Sequence, residues 1–565
     1  MLFRSLSDPY PWYNMDSMLQ TVLTKIIAIK PQSREAFNAA RQRTCGELKI
    51  TPPSNRKLLE AYQLLVKNKT LTRDTQFEQF LCKANIRSMS GIAVITSLVK
   101  PYNCPGKCIY CPTEVRMPKS YIASEPAAAR ALRLDFSPYE QMRRRIEMLE
   151  SNGHPVEKIE YIIKGGTWNA YPIKYQYWFI LESFKACNDL ARKNNKKKIR
   201  AQTLTESSPL NELQKALEKE QRYNEQTTYR IIGLTLETRP DAINPKTIVH
   251  MRQQGCTRIE LGLQAPDDAI LALVKRGHTV QQFRDAMFLL RQAGFKVDIH
   301  FMPDLPGTTP EHDVEMYHSL FTDEGLKPDM VKIYPNTVIP SAELFQWLKD
   351  GRFKPYGNEK LFSALLQMKL ATPRYCRISR LIRDIPSDEI AAGNTITNLR
   401  ENLSAELTKQ KKICLCLRCR EIGRHIKEVQ PDTVPVLFTE SYETIGGKEY
   451  FLTLEDPKRI AVYAFLRLRI PQKKAPSLLY KLMQEIQDCT FIRELHTYGQ
   501  LVRVGKQDSR GSQHKGLGKQ LMKEAERLSK KEKYDKVLVI SGVGVRGYYR
   551  KLGYRKMGTY MGKKI

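Results

Sequence analysis

Between residues 91 and 335 the chain repeats one pattern: a short apolar, β-rich run, then a helical stretch, then the next run. The runs fall at residues 92–98, 159–163, 230–236, 257–263, 296–302 and 330–334, and residues 281–293 are a representative intervening helix. Runs this evenly apolar are buried on both faces, which is the mark of parallel strands covered by helices. Six such units over roughly 250 residues fit a full or partial (β/α) barrel, whose chemistry sits at the C-terminal ends of its strands.

The flanks follow other rules. Residues 1–90 have helical spacing at 22–29 and 58–66, a break at Thr51-Pro52-Pro53, and 14 Lys/Arg against 7 Asp/Glu. Residues 436–440, 450–453 and 459–467 suggest an antiparallel meander, and 491–496 a further strand. A glycine loop, a helix over 516–531 and a strand over 536–540 follow. Four domains are therefore expected: a basic helical domain at 1–90, the barrel at 91–410, a Cys-rich linker at 411–428 and an α+β domain at 429–565.

Charge narrows the partner. The chain carries 92 Lys+Arg and 60 Asp+Glu, a net charge of +32, which favours a polyanion. No window reaches the ~20 apolar residues of a membrane span. The first ten residues lack the basic start and apolar run of a signal peptide. A cytoplasmic protein without a membrane partner is the expectation. Six of the twelve cysteines fall in two tight groups, and in a reducing compartment such groups read as metal ligands rather than disulfides.

The first group, Cys104, Cys108 and Cys111, is a C-x3-C-x2-C loop directly after the first barrel strand. Three thiolates can bind three irons of a 4Fe-4S cubane and leave the fourth iron open. S-adenosylmethionine can chelate that iron and be split to a 5′-deoxyadenosyl radical, the cofactor carrying the hard chemistry. Zinc with a distant fourth ligand is the alternative. Gly165-Gly166-Thr167 after the second strand resembles the radical-SAM glycine motif that contacts the amino group of S-adenosylmethionine. Glu237 and Arg239 end the third strand and Gln264 the fourth, all at the barrel mouth.

Gln513-His514-Lys515-Gly516-Leu517-Gly518 has the form Q-x-x-G-x-G and opens a helix that continues through Lys519. Glycines let backbone approach a pyrophosphate, and the helix start offers unpaired N–H groups. With the strand before it and Tyr548-Tyr549 after it, this segment resembles the GNAT acetyltransferase fold. That resemblance implies that Glu494-Leu495-His496-Thr497 splay from their neighbour to pair with pantetheine, and that Tyr548 and Tyr549 lie near the thioester. Glu494 and His496 are titratable and suit a general base, or are equally structural strand residues.

A radical-SAM barrel followed by a GNAT domain resembles the catalytic subunit of Elongator, from about residue 85 to the C-terminus. The motifs that carry the resemblance include Arg276-Gly277-His278-Thr279, Met302-Pro303-Asp304-Leu305-Pro306, Lys332-Ile333-Tyr334-Pro335 and residues 540–544. It implies a tRNA-modifying enzyme that forms 5-carboxymethyluridine at the wobble uridine of the anticodon loop. Acetyl-CoA would lose a methyl hydrogen to the radical, the resulting carbon would add to C5, and hydrolysis of the thioester would release CoA and leave the carboxymethyl group. Lys158 would contact CoA, and Lys332 would act near the reacting groups. An electron donor for the cluster is implied, and other Elongator subunits are left open. The second cysteine group, Cys414, Cys416 and Cys419, would hold structural zinc as in prokaryotic-type members, with Cys376 or His425 as fourth ligand. The N-terminal helices, Arg130, Arg133, Arg143-Arg144-Arg145 and the basic linker at 418–424 would contact phosphates, setting affinity rather than base choice.

Overall fold

A computed structural model describes residues 12–82, 91–194, 204–430, 432–472, 477–498 and 516–565. The chain forms two compact units. One comprises residues 1–93 and 144–157; the other comprises 94–143 and 158–565.

In the first unit, helices Trp12–Ala28, Arg34–Glu47, Asn55–Lys67 and Thr75–Leu81 follow one another. Ser33 and Ser54 cap two of them by accepting hydrogen bonds from Ala36 N–H and Lys57 N–H. Val22, Leu23, Ile26, Phe37, Leu58, Leu59 and Tyr62 form their shared core. Among the described residues 12–82 this stretch forms helices and no strand, as its spacing predicts, and Thr51-Pro52-Pro53 separates the second helix from the third.

The second unit contains two seven-stranded sheets. The first has strands β1 (Ala93–Leu98), β2 (Lys158–Lys164), β3 (Arg230–Thr238), β4 (Arg258–Gln264), β5 (Lys296–Phe301), β6 (Met330–Ile333) and, after a two-residue β7 (Thr337–Val338), β8 (Arg377–Arg380). Their spatial order is β1-β2-β3-β4-β5-β6-β8. The pairs from β2 through β8 are parallel, with helices in the crossovers. This is the expected partial barrel with one strand added: β8 was not visible as an apolar run because Arg377 and Arg380 interrupt it. β7 pairs with β9 (Ala392–Gly393) in a small separate ribbon. Some crossover helices start at a side-chain cap, as at Thr279, which with Gln282 forms a reciprocal capping box for Val280–Gln292.

The second sheet has β10 (Val436–Thr444), β11 (Gly447–Glu455), β12 (Val462–Pro471), β13 (Thr490–Thr497), β14 (Lys536–Val539), β15 (Arg555–Met557) and β16 (Tyr560–Lys564). Its order is β10-β11-β12-β13-β14-β16-β15. The expected meander is β10 to β12. Helix Leu517–Lys531 covers one face, burying Leu517, Leu521, Met522, Ala525 and Leu528 against Leu466, Leu468, Ile492 and Val539. The opposite face meets the barrel.

That meeting occurs at one end of the barrel only. Gly542 and Gly544 pack so closely on Arg230, Ile231 and Ile232 at the start of β3 that a Cβ would collide with backbone. Phe491 packs against Gly294 just before β5. Asp329, one residue before β6, is bonded to Arg493 of β13 at 2.6 Å. The second sheet thus sits against the strand starts, opposite the strand ends expected to carry the cysteine loop.

Candidate functional site

The mouth of the barrel collects the first cysteine group and its supports. β1 ends at Leu98, and the loop beyond it carries Cys104, Cys108 and Cys111. Cys108 is buried; Cys104 and Cys111 are partly exposed. A hydrogen bond with the Cys111 thiol, together with the Arg276 guanidinium, outweighs burial and brings the Cys108 thiol down to about 4. The Cys104 sulfur lies 3.5 Å from Thr167 Oγ1. Gly165 and Gly166 hold φ of 148° and 82°, conformations that favour glycine, and they turn the end of β2 toward Thr167. A Cβ on Gly165 would strike Val99. An open recess of about 500 Å³ is lined by Asn103, Cys104, Pro105, Thr167, Asn169 and Asp241, among others.

Geometry distinguishes the two cysteine groups. Zinc bound at about 2.3 Å to sulfur keeps tetrahedral ligands ~3.8 Å apart. The sulfurs of Cys414, Cys416 and Cys419 lie within 4.8 Å of one another, as one ion requires. Those of Cys104, Cys108 and Cys111 do not all lie within that distance of one another, although the Cys108 and Cys111 thiols are hydrogen-bonded; three separate thiolates are what three irons of a cubane take. Unpartnered buried atoms at the strand ends fit a polar ligand beside them. Thr238 Oγ1, Arg239 Nη1 and Gln264 Oε1 have no hydrogen-bond partner among the described residues. Gln264 turns the chain at φ 77°, a left-handed conformation that non-glycine residues rarely adopt. A Cβ on Gly106 would run into the Arg239 guanidinium, so the cluster loop and the end of β3 are shaped to each other.

Deeper in the mouth is a charged layer that motif reading largely missed. Glu260 of β4 is fully buried and accepts from both Lys164 at the end of β2 and Lys332 on β6. Lys164 also lies 3.5 Å from Glu237, which accepts a 2.8 Å bond from Tyr121. His300 Nε2 is 3.5 Å from Glu260. Burial and the neighbouring Lys164 bring Lys332 down to about 8, partly countered by Glu260. Lys332 and Glu237 were expected here, whereas Lys164, Glu260 and Tyr121 were not. Parallel strands place their inward residues in register, and Glu237, Glu260 and Asp298 are successive partners across β3, β4 and β5. A period-2 count from each strand end toward a common layer would have found them.

On the second sheet, β14 pairs with β13 only through Thr490, Phe491 and Ile492. Pairing with β14 stops at Ile492, and among the described residues one edge of 493–497 has no strand partner. Thr497 Cγ2 and Leu495 Cδ2 lie 3.6 and 3.8 Å from where a Cβ of Gly518 would stand, and Tyr548 Oη is closer, at 2.8 Å. Leu495, Thr497, Gly518 and Tyr548 therefore converge at the start of helix Leu517–Lys531. Gly516 precedes that helix with φ 110°. Leu517 is buried on the core side and Lys519 is exposed. Tyr548 is partly exposed, while Tyr549 is buried beneath it. Residues 513–515 lie outside the described residues.

Of the two bases named on β13, Glu494 is engaged elsewhere, while His496 Nε2 has no hydrogen-bond partner among the described residues. A register shift opposite Arg467 and Leu468 leaves Arg493 extra, so Arg493 and Glu494 both turn toward the barrel. Glu494 accepts from Arg467 at 3.0 Å and from Lys296 at 3.2 Å. Burial raises its carboxyl, but Lys296 and Arg467 outweigh that and hold it at about 2. His496 is stacked on Phe465, with the Tyr498 ring tilted against it, and burial holds its imidazole below the ordinary value. Lys158, expected to reach CoA, is exposed at the start of β2.

At the linker, His425 has both ring nitrogens occupied, by Cys419 O at 2.7 Å and Glu428 at 2.9 Å. Cys376 is not within 4.8 Å of all three linker sulfurs. Neither candidate fourth ligand joins the trio. Among the arginines expected to meet phosphate, Arg420 is buried on Glu455 at 2.9 Å, and Arg143 pairs with Glu140.

Comparison with known proteins agrees with this layout. Residues 98–320 match the Radical SAM superfamily, 328–409 the Radical_SAM C-terminal domain, and 509–564 the Acetyltransferase (GNAT) domain. The chain is 42% identical to a protein of Methanocaldococcus infernus named tRNA uridine(34) acetyltransferase, over 86% of this chain and 88% of that one. It is 37% identical to Elongator complex protein 3 of Saccharomyces cerevisiae, over 85% of this chain and 84% of that one. A solved structure, the archaeal Methanocaldococcus infernus Elp3 with an N-terminal deletion, superposes with a TM-score of 0.70 at 38% identity. It covers 84% of this chain and 100% of its own.

Proposed function

This chain belongs to the family of tRNA uridine(34) acetyltransferases and Elongator complex protein 3, and on that premise we propose that it converts the wobble uridine of tRNA to 5-carboxymethyluridine, with acetyl-CoA as carbon source and S-adenosylmethionine as radical source. The observation that carries the reading is the coexistence, in one compact unit, of a three-cysteine loop at the strand ends and a β13 edge without a strand partner among the described residues; since the second sheet lies at the strand starts, the acetyl group would have to be carried to the strand ends to meet the radical. Held by Cys104, Cys108 and Cys111, a 4Fe-4S cluster would supply the electron that splits S-adenosylmethionine into methionine and a 5′-deoxyadenosyl radical. Thr167, Glu237, Arg239 and Gln264, with the glycines 165 and 166, would bind and orient that molecule. Free backbone at 494–497, with Gly516, Leu517, Gly518 and Lys519 at the helix start, would bind CoA. Tyr548, with Tyr549 beneath it, would border the thioester, and Lys158 would assist from the start of β2.

Lys332 would hold or give a proton beside the reacting groups, its ammonium steadied by Glu260. Acetyl transfer to an amine needs a free base; Glu494 is ion-paired, which leaves the half-buried His496 as the one candidate among the named residues. The linker trio would hold zinc as a structural ion. The net charge of +32 suits a tRNA partner, and an electron donor must reach the cluster loop.

The test is anaerobic incubation of the reconstituted enzyme with reductant, S-adenosylmethionine, methyl-deuterated acetyl-CoA and tRNA. Expected are 5-carboxymethyluridine by nucleoside mass spectrometry and deuterium in 5′-deoxyadenosine. Unmodified uridine despite an intact cluster would overturn the reading.

A further inference from the structure

Arg276 is a buried cation that no carboxylate answers. It is 6% exposed, and its guanidinium makes no ion pair with an Asp or Glu among the described residues. Nη2 donates to Gly262 O at 2.7 Å and Nε to His278 Nε2 at 3.1 Å, while Nη1 points at the Cys108 sulfur from 3.6 Å. A buried charge is tolerated only when an opposite charge stands near it. The opposite charge within reach is the sulfur of Cys108.

The guanidinium is held firmly in that position. Gly262 leaves it space, since a Cβ there would collide with Nη2. The His278 ring packs against the guanidinium, with Nδ1 3.2 Å from Thr279 O and Nε2 3.1 Å from Gly262 O, the carbonyl that Arg276 also uses. The Arg276 carbonyl in turn accepts from Arg239 at 2.9 Å, and Arg239 is clasped by Asp241 at 2.9 Å. Cys104 has two neutral hydrogen-bond partners, Thr167 Oγ1 at 3.5 Å and Gly106 N–H at 3.4 Å, and the Arg239 guanidinium, itself paired with Asp241, stands on the other side of Gly106.

We propose that Arg276 is the fixed counter-charge of the cluster ligated by Cys104, Cys108 and Cys111 and raises its reduction potential, making the first electron easier to accept. The inference rests on the cluster reading above. A cation and an N–H donor against a ligand sulfur stabilise the more negative, reduced state, and both are known levers on such potentials. Arg276 acts through a ligand rather than on the reacting atoms, so it is a positioning residue.

The test measures potential rather than turnover. Wild type, Arg276→Gln, Arg276→Lys and His278→Glu are reconstituted with iron and sulfide, and their midpoints are read by redox titration followed by electron paramagnetic resonance. Wild type and Arg276→Lys should titrate close together. Arg276→Gln should show a reduced-to-oxidised ratio at least tenfold lower at fixed donor potential, a shift of about 59 mV for one electron. Should Arg276→Gln fail to hold a cluster, His278→Glu decides alone: its carboxylate cancels the charge while leaving the guanidinium in place, and it should lower the midpoint likewise. An unchanged midpoint in every variant that holds the cluster overturns the proposal. So does a lysine variant as low as the glutamine one, because charge is then not the cause. A wild-type chain that takes up no iron and sulfide sinks the cluster reading itself, which is a separate failure.

Discussion

Lys332 is bound to Glu260 in the barrel mouth, where burial brings its ammonium down to about 8. The ammonium therefore predominates below that pH and the amine above it. If its charged form is the working one, the yield of modified uridine in a single turnover falls as pH rises from 7 to 9. Lys332→Met should give a lower yield with no inflection; a flat wild-type profile would remove Lys332 protonation from the mechanism. Gly518 poses a steric test. Tyr548 Oη already stands 2.8 Å from the place of a Cβ, so Gly518→Val should fill the angle between β13 and the helix start. Calorimetric affinity for CoA is expected to fall at least tenfold, about 1.4 kcal/mol, while the fold is retained.

At the scale of elements, the loop after β5 is fastened by two buried acids. Asp313 accepts from Asp304 N–H at 2.7 Å and from Tyr356 OH at 2.9 Å, and Asp304 Oδ1 accepts from Tyr356 N–H at 3.2 Å. Burial raises Asp304 to about 8 and Asp313 to about 6. Both folded values lie above the unfolded one, so the native state keeps protons that the unfolded chain has released. Their contribution to stability is complete below about pH 4 and is lost as pH rises through 6 and then 8. Asp304→Asn keeps the acceptor without the ionisation. It should stabilise the protein at pH 8 by on the order of 1.4 kcal/mol per pKa unit relieved and leave it unchanged at pH 4. Thermal melts at the two pH values check this. The same scale explains what alternation could not reveal on β13: the extra residue at Arg493 shifts the facing of every later side chain. Glu494 and His496 therefore point toward the barrel while Leu495 and Thr497 line the edge beyond the β14 pairing.

For the molecule as a whole, the decisive feature is a buried charge network between the two sheets. Asp329 meets Arg291 at 3.1 Å and Arg493 at 2.6 Å; Glu449 meets Arg291, Arg469 and Arg493 at 3.3, 3.1 and 2.9 Å. All five side chains are at most 1% exposed. Such a network adds little net energy when complete, but removing one member strands its partners and costs about 3–5 kcal/mol. Asp329→Asn should accordingly lower the melting transition strongly. The barrel and the acetyltransferase-type domain should unfold in one calorimetric step, and residues 429–565 expressed alone should not fold. Two separate transitions in the wild-type chain would contradict this coupling.

The sequence by itself determined the strand–helix alternation, the cysteine loops and the glycine-led helix start. Those are local signals: hydrophobic period, ligand spacing and backbone freedom are written within a few residues of one another. Tertiary structure alone decided which charges answer which. Lys164 and Glu260 are 96 positions apart and meet because parallel strands bring inward residues into one layer. Arg276 and Cys108 are 168 positions apart, and Arg493 and Asp329 are 164 apart. Burial gives a charge a partner wherever the chain happens to bring one, and nothing in the local pattern of Glu494 or Arg420 marked them as interior ions rather than a base or a phosphate contact. The placement of the acetyltransferase-type sheet at the strand starts, opposite the cysteine loop, was likewise decided only when the two sheets packed.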